Sequence, residues 1–289
     1  GGVAMNTSTQ LKALIRNLSK EKSVQAEIIL RNFMLERLLE RISLSPFRDK
    51  FILKGGMLIA AMVGIDTRST MDMDATIRGI PFSEEALEKT MKEILAYPVN
   101  DGVKMTLIGF ENIRDEAEYP GIRVSIEAVF DKTRQVMKVD ITTGDKITPR
   151  AVEYSFKLLL ENRCISILAY NLETVLAEKL ETILSRSTAN TRMRDYYDVY
   201  ILTTLRAQDI NLSLFAEAFR NTAEKRGSYN RLLKNGDDIM LEIEKSQVLT
   251  ELWSRYQQKN SYADDLTWSQ VIASVKNIYV KSFGRDTHK

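Results

Sequence analysis

The chain has 289 residues, 44% of them hydrophobic and 28% charged, with a formal net charge of +2. That length and apolar share can bury a substantial core and suit two domains, while the near-neutral balance excludes a strong global field for nucleic acid. The single cysteine, Cys164, excludes an internal disulfide and fits a reducing compartment. No apolar run reaches the ~20 residues needed to span a bilayer. "GGVAM", residues 1–5, reads as a cloning remnant ahead of Met5 rather than a signal peptide, so the cytoplasm is the expected location. The only histidine is His288, next to the last residue. That placement argues against histidine acid–base catalysis, the usual zinc sites and Ser-His-Asp triads. What remains is carboxylates, lysines, hydroxyls and a hard, oxygen-liking metal.

Residues 6 to 50 carry nine Lys or Arg against five Asp or Glu. This excess suits either a face that docks on an RNA backbone or the solvated side of amphipathic helices. Over residues 9 to 45, Leu11, Leu14, Ile15 and Leu18, then Ile28, Phe33, Leu38, Leu39 and Ile42, predict helix by their spacing. Pro46 ends it. "KFILK" predicts a short buried strand, and "GGMLIAAMVG" a turn into a helix that Gly64 caps. "MDMDATI" alternates, and "PFSEEALEKTMKEILAY" predicts a helix with Ser83 as N-cap. From residue 103 to 147 the period becomes two, and "VKMTLIGFENI", "RVSIEAVF" and "QVMKVDITT" read as three strands. From "NLETVLAEKLETILSR" onward the chain reads as helical to about residue 283. The expected class is α+β. N-terminal helices and a small mixed sheet occupy residues 6 to 160, and a mostly α-helical domain occupies 161 to 289, with the boundary between Thr148-Pro149 and Tyr170.

Two short elements raise the question of chemistry. Gly55 and Gly56 follow a strand and open a helix, where backbone N–H groups can hold phosphate oxygens, though glycine pairs are also ordinary turn residues. Asp72 and Asp74, two apart, share one face of a strand. Two such carboxylates suit a hard cation such as Mg²⁺, or else guard an exposed strand edge. Asp140 would face away from Met137, Val139 and Ile141, and beside "MDMDATI" it would complete a set of three able to hold two ions; Glu127 is its rival. Further on, Leu176, Leu180, Ile183 and Leu184 leave Lys179 beside an apolar stripe, and Asp195 and Asp198 share a helix face. These could reach a nucleotide, or simply be what surface helices carry.

Taken in order, "FILKGGMLIA", "RSTMDMDATI", "VDITTGDKITP" and "AEKLETILSRSTANTRMRDYYDVYIL" resemble the AbiEii/AbiGii toxin-type nucleotidyltransferases of type IV toxin–antitoxin systems, within the DNA polymerase β-like superfamily. The resemblance covers roughly residues 20 to 280 and extends to the helical tail "ELWSRYQQKNSYADDLTWSQVIASV". It implies Mg²⁺-dependent transfer of a nucleotide from an NTP to an acceptor, by in-line attack on the α-phosphate at a two-ion site. It also implies tRNA acceptor ends as a substrate class in some members, growth arrest in abortive infection and phage defence, and genetic pairing with an AbiEi-type antitoxin. Carried over by position, Gly55 and Gly56 match the phosphate loop, with Lys54 and Arg68 beside it in the nucleotide-binding set. Asp72 and Asp74 match the metal pair, and the resemblance favours Asp140 over Glu127 as third ligand. Lys179 matches the family lysine, and Asp195 the aspartate of an element that here reads "RDYYD" and ends at Asp198. One departure concerns the loop. The wider superfamily has Gly-Ser and a shorter gap, whereas here the loop is Gly-Gly and fifteen residues separate Gly56 from Asp72.

Two rivals come from other classes. A small-molecule nucleotidyltransferase of the antibiotic-modifying type would share the loop and aspartates, and a non-catalytic nucleotide-binding module would keep the fold alone. The basic excess near the N-terminus tilts towards RNA, and intact Asp72, Asp74, Asp140 and Lys179 argue against a decayed site.

Overall fold

The computed structural model describes residues 7–113 and 119–283. Residues 1–5 and His288 lie outside them. The chain divides into two compact units, one of residues 1–145 with 152–169, the other of 146–151 with 170–289.

The first unit opens with α1 (Ser8–Lys22) and α2 (Ala26–Leu44). Thr7 starts α1 by accepting the Gln10 N–H at 3.2 Å, and Ser23, at φ 54°, turns the chain between the helices. Next come β1 (Phe51–Lys54), α3 (Gly55–Val63), β2 (Met73–Ile77) and α4 (Glu84–Leu95). Gly64 ends α3 at φ 101°, and Ser83 caps α4 through the Ala86 N–H. Three long strands follow, β3 (Val103–Ile113), β4 (Gly121–Phe130) and β5 (Thr133–Thr143), then a hairpin of β6 (Val152–Lys157) and β7 (Cys164–Ala169). The seven strands form one mixed sheet in the order β3-β4-β5-β2-β1-β7-β6. β1 and β7 run parallel, as do β2 and β5; the remaining neighbours are antiparallel. Met137, Val139 and Ile141 are buried on one face of β5, as their alternation predicts.

The division expected after residue 160 falls inside the β6–β7 hairpin. Residues 161 to 169 belong to the sheet, because β7 pairs with β1 through Ile52–Leu168 and Leu53–Ala169.

Four charges of residues 6 to 50, two of each sign, are internal, and the basic excess stays on the others. Glu36, Arg37, Glu40 and Arg41 on α2 are all buried. Arg41 forks onto Asp101 at 2.7 and 3.0 Å, Arg37 reaches Glu161 at 3.2 Å, and Glu40 accepts from Arg163. The helix takes charges inward because the segments it touches bring the opposite charges to it.

The second unit contains α5 (Leu172–Arg186), α6 (Met193–Leu205), α7 (Leu212–Arg226), α8 (Tyr229–Lys245), α9 (Gln247–Lys259) and α10 (Trp268–Ser282). α7 and α10 both pack on α5 and, with α6, bury Leu176, Leu180, Tyr196, Phe215, Phe219 and Val275. No helix of the described residues is long and apolar enough to cross a membrane.

Candidate active site

Strand register brings the charged residues of the first unit into one row. Lys54 on β1 stands opposite Asp74 on β2, Asp74 opposite Asp140 on β5, Asp140 opposite Arg123 on β4, and Arg123 opposite Glu111 on β3. Neighbouring strands lie about 4.8 Å apart, and opposed residues project to the same face. The row therefore reads cation, acid, acid, cation, acid. Its two adjacent acids are Asp74 and Asp140, and Asp72 precedes Asp74 by two residues. Glu127 is four residues beyond Arg123 on β4, which at about 3.3 Å per residue removes it by roughly 13 Å from the row. It pairs there with Arg134.

Both glycines have a steric reason. Gly55 has φ +72°, and a Cβ on it would stand 2.2 Å from Asp74 Oδ2. Only glycine lets that carboxylate lie against the first turn of α3. At Gly56 a Cβ would meet Thr70 Oγ1 at 2.8 Å and the Arg68 guanidinium at 3.3 Å. A serine there has no room, which accounts for the Gly-Gly departure. Arg68 is 1% exposed and donates to the Ser69 carbonyl at 2.6 Å. It lies beneath the loop as a support.

Lys54 reaches across the same face. Its Nζ donates to Thr142 Oγ1 at 2.6 Å and to Asp145 Oδ2 at 2.5 Å, while Thr142 donates to Asp145 Oδ1 at 2.9 Å. The ammonium also sits 5.4 Å from the Tyr119 ring centre. Sequence reading missed Arg123, Thr142 and Asp145. Asp145 stands within the quoted "VDITTGDKITP", but its partner is 91 residues away and only the fold joins them.

Arg123 grips Asp140 with both arms of a fork, Nε to Oδ1 at 2.8 Å and Nη2 to Oδ2 at 3.1 Å. That hydrogen bonding holds the guanidinium proton more firmly than usual; burial opposes it, and the charges of Asp140, Glu111 and Asp72 add to it.

In type, the donors fit a hard divalent cation, because the row offers carboxylate oxygens and neither sulfur nor imidazole. Among the described residues no three acidic, His or Cys side chains close on one point as a ready-made cage. The residues that would hold such a cation are Asp72 and Asp74, and Asp140 would join them by giving up a bond to Arg123.

In the second unit, Lys179 on α5 donates to Asp195 Oδ1 at 2.8 Å and pairs with Asp198 Oδ2 at 3.1 Å, both on α6. The two aspartates are buried. Asn190 Nδ2 donates to Asp195 Oδ2 at 3.4 Å, and Arg192 stands 3.8 Å from it. On the other side of α5, Arg226 on α7 pairs with Glu178 and Glu181, which fixes the rotation of the helix that carries Lys179.

A family model described as the nucleotidyl transferase AbiEii toxin of type IV TA systems matches residues 37–274. No curated protein sequence matches the chain. Among solved structures, the MenT4 nucleotidyltransferase toxin of Mycobacterium tuberculosis H37Rv aligns with a TM-score of 0.54 at 13% identity, over 94% of this chain and 99% of that one. JHP933 from Helicobacter pylori aligns with a TM-score of 0.47 at 14% identity, over 89% of this chain and 94% of that one. At such identity the MenT4 comparison shows a shared fold.

Proposed function

The chain belongs to the AbiEii nucleotidyl transferase toxin family of type IV toxin–antitoxin systems, and we propose that it transfers a nucleotide from an NTP to an RNA acceptor, with tRNA ends the favoured class, in a Mg²⁺-dependent reaction. The observation that carries this reading is the row in which Lys54, Asp74, Asp140 and Arg123 face one another, with the Gly55–Gly56 turn against Asp74.

Each residue has a part. Asp72 and Asp74 hold the cation, and Asp140 joins them. A bound Mg²⁺ pair would neutralise phosphate charge and align the attacking and leaving oxygens. The α3 N-terminus, opened by Gly55 and Gly56, receives phosphate oxygens, and Arg68 supports that turn from below. Lys54 brings a cation to the same edge. The acceptor hydroxyl forms its bond to the α-phosphorus as the bond to the bridging oxygen breaks, pyrophosphate departs, and the hydroxyl proton passes to solvent. Lys179 supplies positive charge to the departing pyrophosphate, and Asp195 and Asp198 orient its ammonium. The resulting block on growth suits a toxin of abortive infection and phage defence. It acts in the cytoplasm, opposed by an AbiEi-type antitoxin.

The test is direct. Purified protein is incubated with each α-labelled NTP, total tRNA or aminoglycosides, and Mg²⁺ or chelator. Label entering tRNA only with Mg²⁺, and lost in Asp74→Asn, is the expected result. Label on the aminoglycoside alone identifies the antibiotic-modifying class, and nucleotide binding without transfer to either identifies a non-catalytic module.

A further inference from the structure

The Arg123–Asp140 fork differs from the other Arg–Asp fork of the same unit. Arg41–Asp101 is sealed, with side-chain exposures of 3% and 8%. Arg123 and Asp140 are 33% and 21% exposed, although their geometry is a full fork. A sealed fork is architecture, whereas a fork open to solvent can exchange partners at modest cost. Its place in the row matters more. The Asp140 carboxylate it occupies stands directly opposite Asp74, so the guanidinium lies where a cation shared by those two acids would compete with it. Arg123 uses Nε and Nη2 on Asp140, which leaves Nη1 for a second anion.

We propose that Arg123 is an exchangeable counter-ion: it holds Asp140 while no divalent cation is bound, yields the carboxylate when one binds, and then turns its guanidinium to the phosphates of the incoming nucleotide. This rests on Asp72 and Asp74 being cation ligands. The sequence of events follows from charge. Asp74 and Asp140 facing each other repel, and without a cation between them the nearest relief for Asp140 is Arg123. A divalent cation supplies more charge at shorter range and displaces the fork. The freed guanidinium then lies beside a triphosphate, for which its planar donor set is suited. The exchange would let the site take up metal and nucleotide together while suppressing metal alone.

The role predicts opposite signs for two affinities. Arg123→Met, which removes the charge and keeps bulk, should bind Mn²⁺ alone at least about fivefold tighter, the scale of losing one like charge a few ångströms away in a partly solvated site. The same variant should bind a non-hydrolysable NTP analogue with Mg²⁺ at least about fivefold more weakly. Arg123→Lys, which keeps charge without the fork, should fall between the two. Mn²⁺ binding is read by electron paramagnetic resonance, analogue binding by calorimetry, and folding by thermal melts of every variant. A merely structural pair would weaken both affinities or lower the melting temperature with neither rising, and that result overturns the proposal. If Arg123→Met does not fold, Arg123→Lys decides by whether Mn²⁺ affinity rises. Asp74→Asn is the control on the underlying reading: wild-type protein that binds no Mn²⁺, or Asp74→Asn that binds it normally, defeats the metal assignment and the proposal with it. Loss of Mn²⁺ binding in Asp74→Asn with unchanged affinities in Arg123→Met defeats Arg123 alone.

Discussion

Asp74 on β2 and Asp140 on β5 face each other in the parallel register of adjacent strands, with Lys54 flanking the first and Arg123 the second. Like charges this close raise the energy of the site, and a cation between them would lower it. Asp74→Asn keeps the shape and removes the repulsion, and Asp72→Ala removes an exposed charge just before the strand. Both should abolish nucleotide transfer while leaving the melting temperature within a few degrees, the scale of about 1 kcal/mol for a unit of this size. Transfer and melting are measured on the same preparations. Activity retained in either variant removes that residue from the metal set.

Gly55 permits a test of geometry at fixed strain. Gly55→Ala pays for φ +72° and also drives a Cβ into Asp74 Oδ2, whereas Gly227→Ala pays for φ +76° with nothing within 4 Å. Each should lose about 1 kcal/mol or somewhat more of stability from the backbone alone. Only Gly55→Ala should also lower the transfer rate, by about 10²-fold, the cost of displacing a catalytic group by roughly an ångström. Equal kinetics in the two variants would mean that Asp74 does not depend on the Gly55 turn.

Much of this organisation was legible in the sequence, and the parts that were not share a cause. The helices of residues 9 to 45, the Ser83 cap, the Gly64 stop and the three strands from 103 to 147 follow from local periodicity and turn chemistry, and they stand where those patterns put them. β6 is an edge strand that buries only Phe156; Val152, Tyr154 and Phe156 do alternate with Glu153, Ser155 and Lys157, but the segment is short and lies beside Pro149 in the stretch read as a boundary. β7 does alternate, with Ile165, Ile167 and Ala169 buried, but it lay inside the stretch taken as a domain boundary. The fork of Arg123 on Asp140 and the grip of Lys54 on Asp145 arise from strand register between segments 17 and 91 residues apart. Nothing local marks such pairs. The buried charges of α2 were hidden for the same reason, since their partners Asp101, Glu161 and Arg163 are distant in sequence.

Lys179 requires a test that separates charge in the reaction from charge in the fold. Its ammonium is shared by Asp195 and Asp198, and the latter is fully buried. Lys179→Met takes a shared cation from two buried carboxylates, so a loss of up to about 3 kcal/mol is expected on those grounds alone. Combining it with Asp195→Asn and Asp198→Asn removes those charges and should recover most of that loss. Transfer should stay at least about 10²-fold down in the combined variant if the Lys179 ammonium acts on the departing pyrophosphate as proposed. Unfolding in denaturant gives the first quantity and single-turnover kinetics the second. Recovery of both together would make Lys179 a structural residue.

Glu36 gives the fold a pH dependence with a definite sign. Its carboxyl is buried in α2 and accepts the Leu159 N–H at 3.2 and 3.3 Å. Burial is the largest influence and raises its pKa from 4.5 to about 8; the Leu159 bond, Arg37 and Arg163 pull it down, and Glu161 adds to the rise. Between those two values the folded chain holds a proton that the unfolded chain has released. Stability therefore falls as pH climbs through the window from 4.5 to about 8 and levels off above it. The slope from this one group is at most about 1.4 kcal/mol per pH unit. Glu36→Gln keeps an oxygen acceptor for Leu159 and cannot ionise, so its stability should be flatter across the window and should exceed that of the unaltered chain at the alkaline end. Urea unfolding at intervals from mildly acidic to mildly alkaline pH measures both curves. Parallel curves would show that Glu36 releases its proton at an ordinary carboxyl pH, with the buried cations holding it charged.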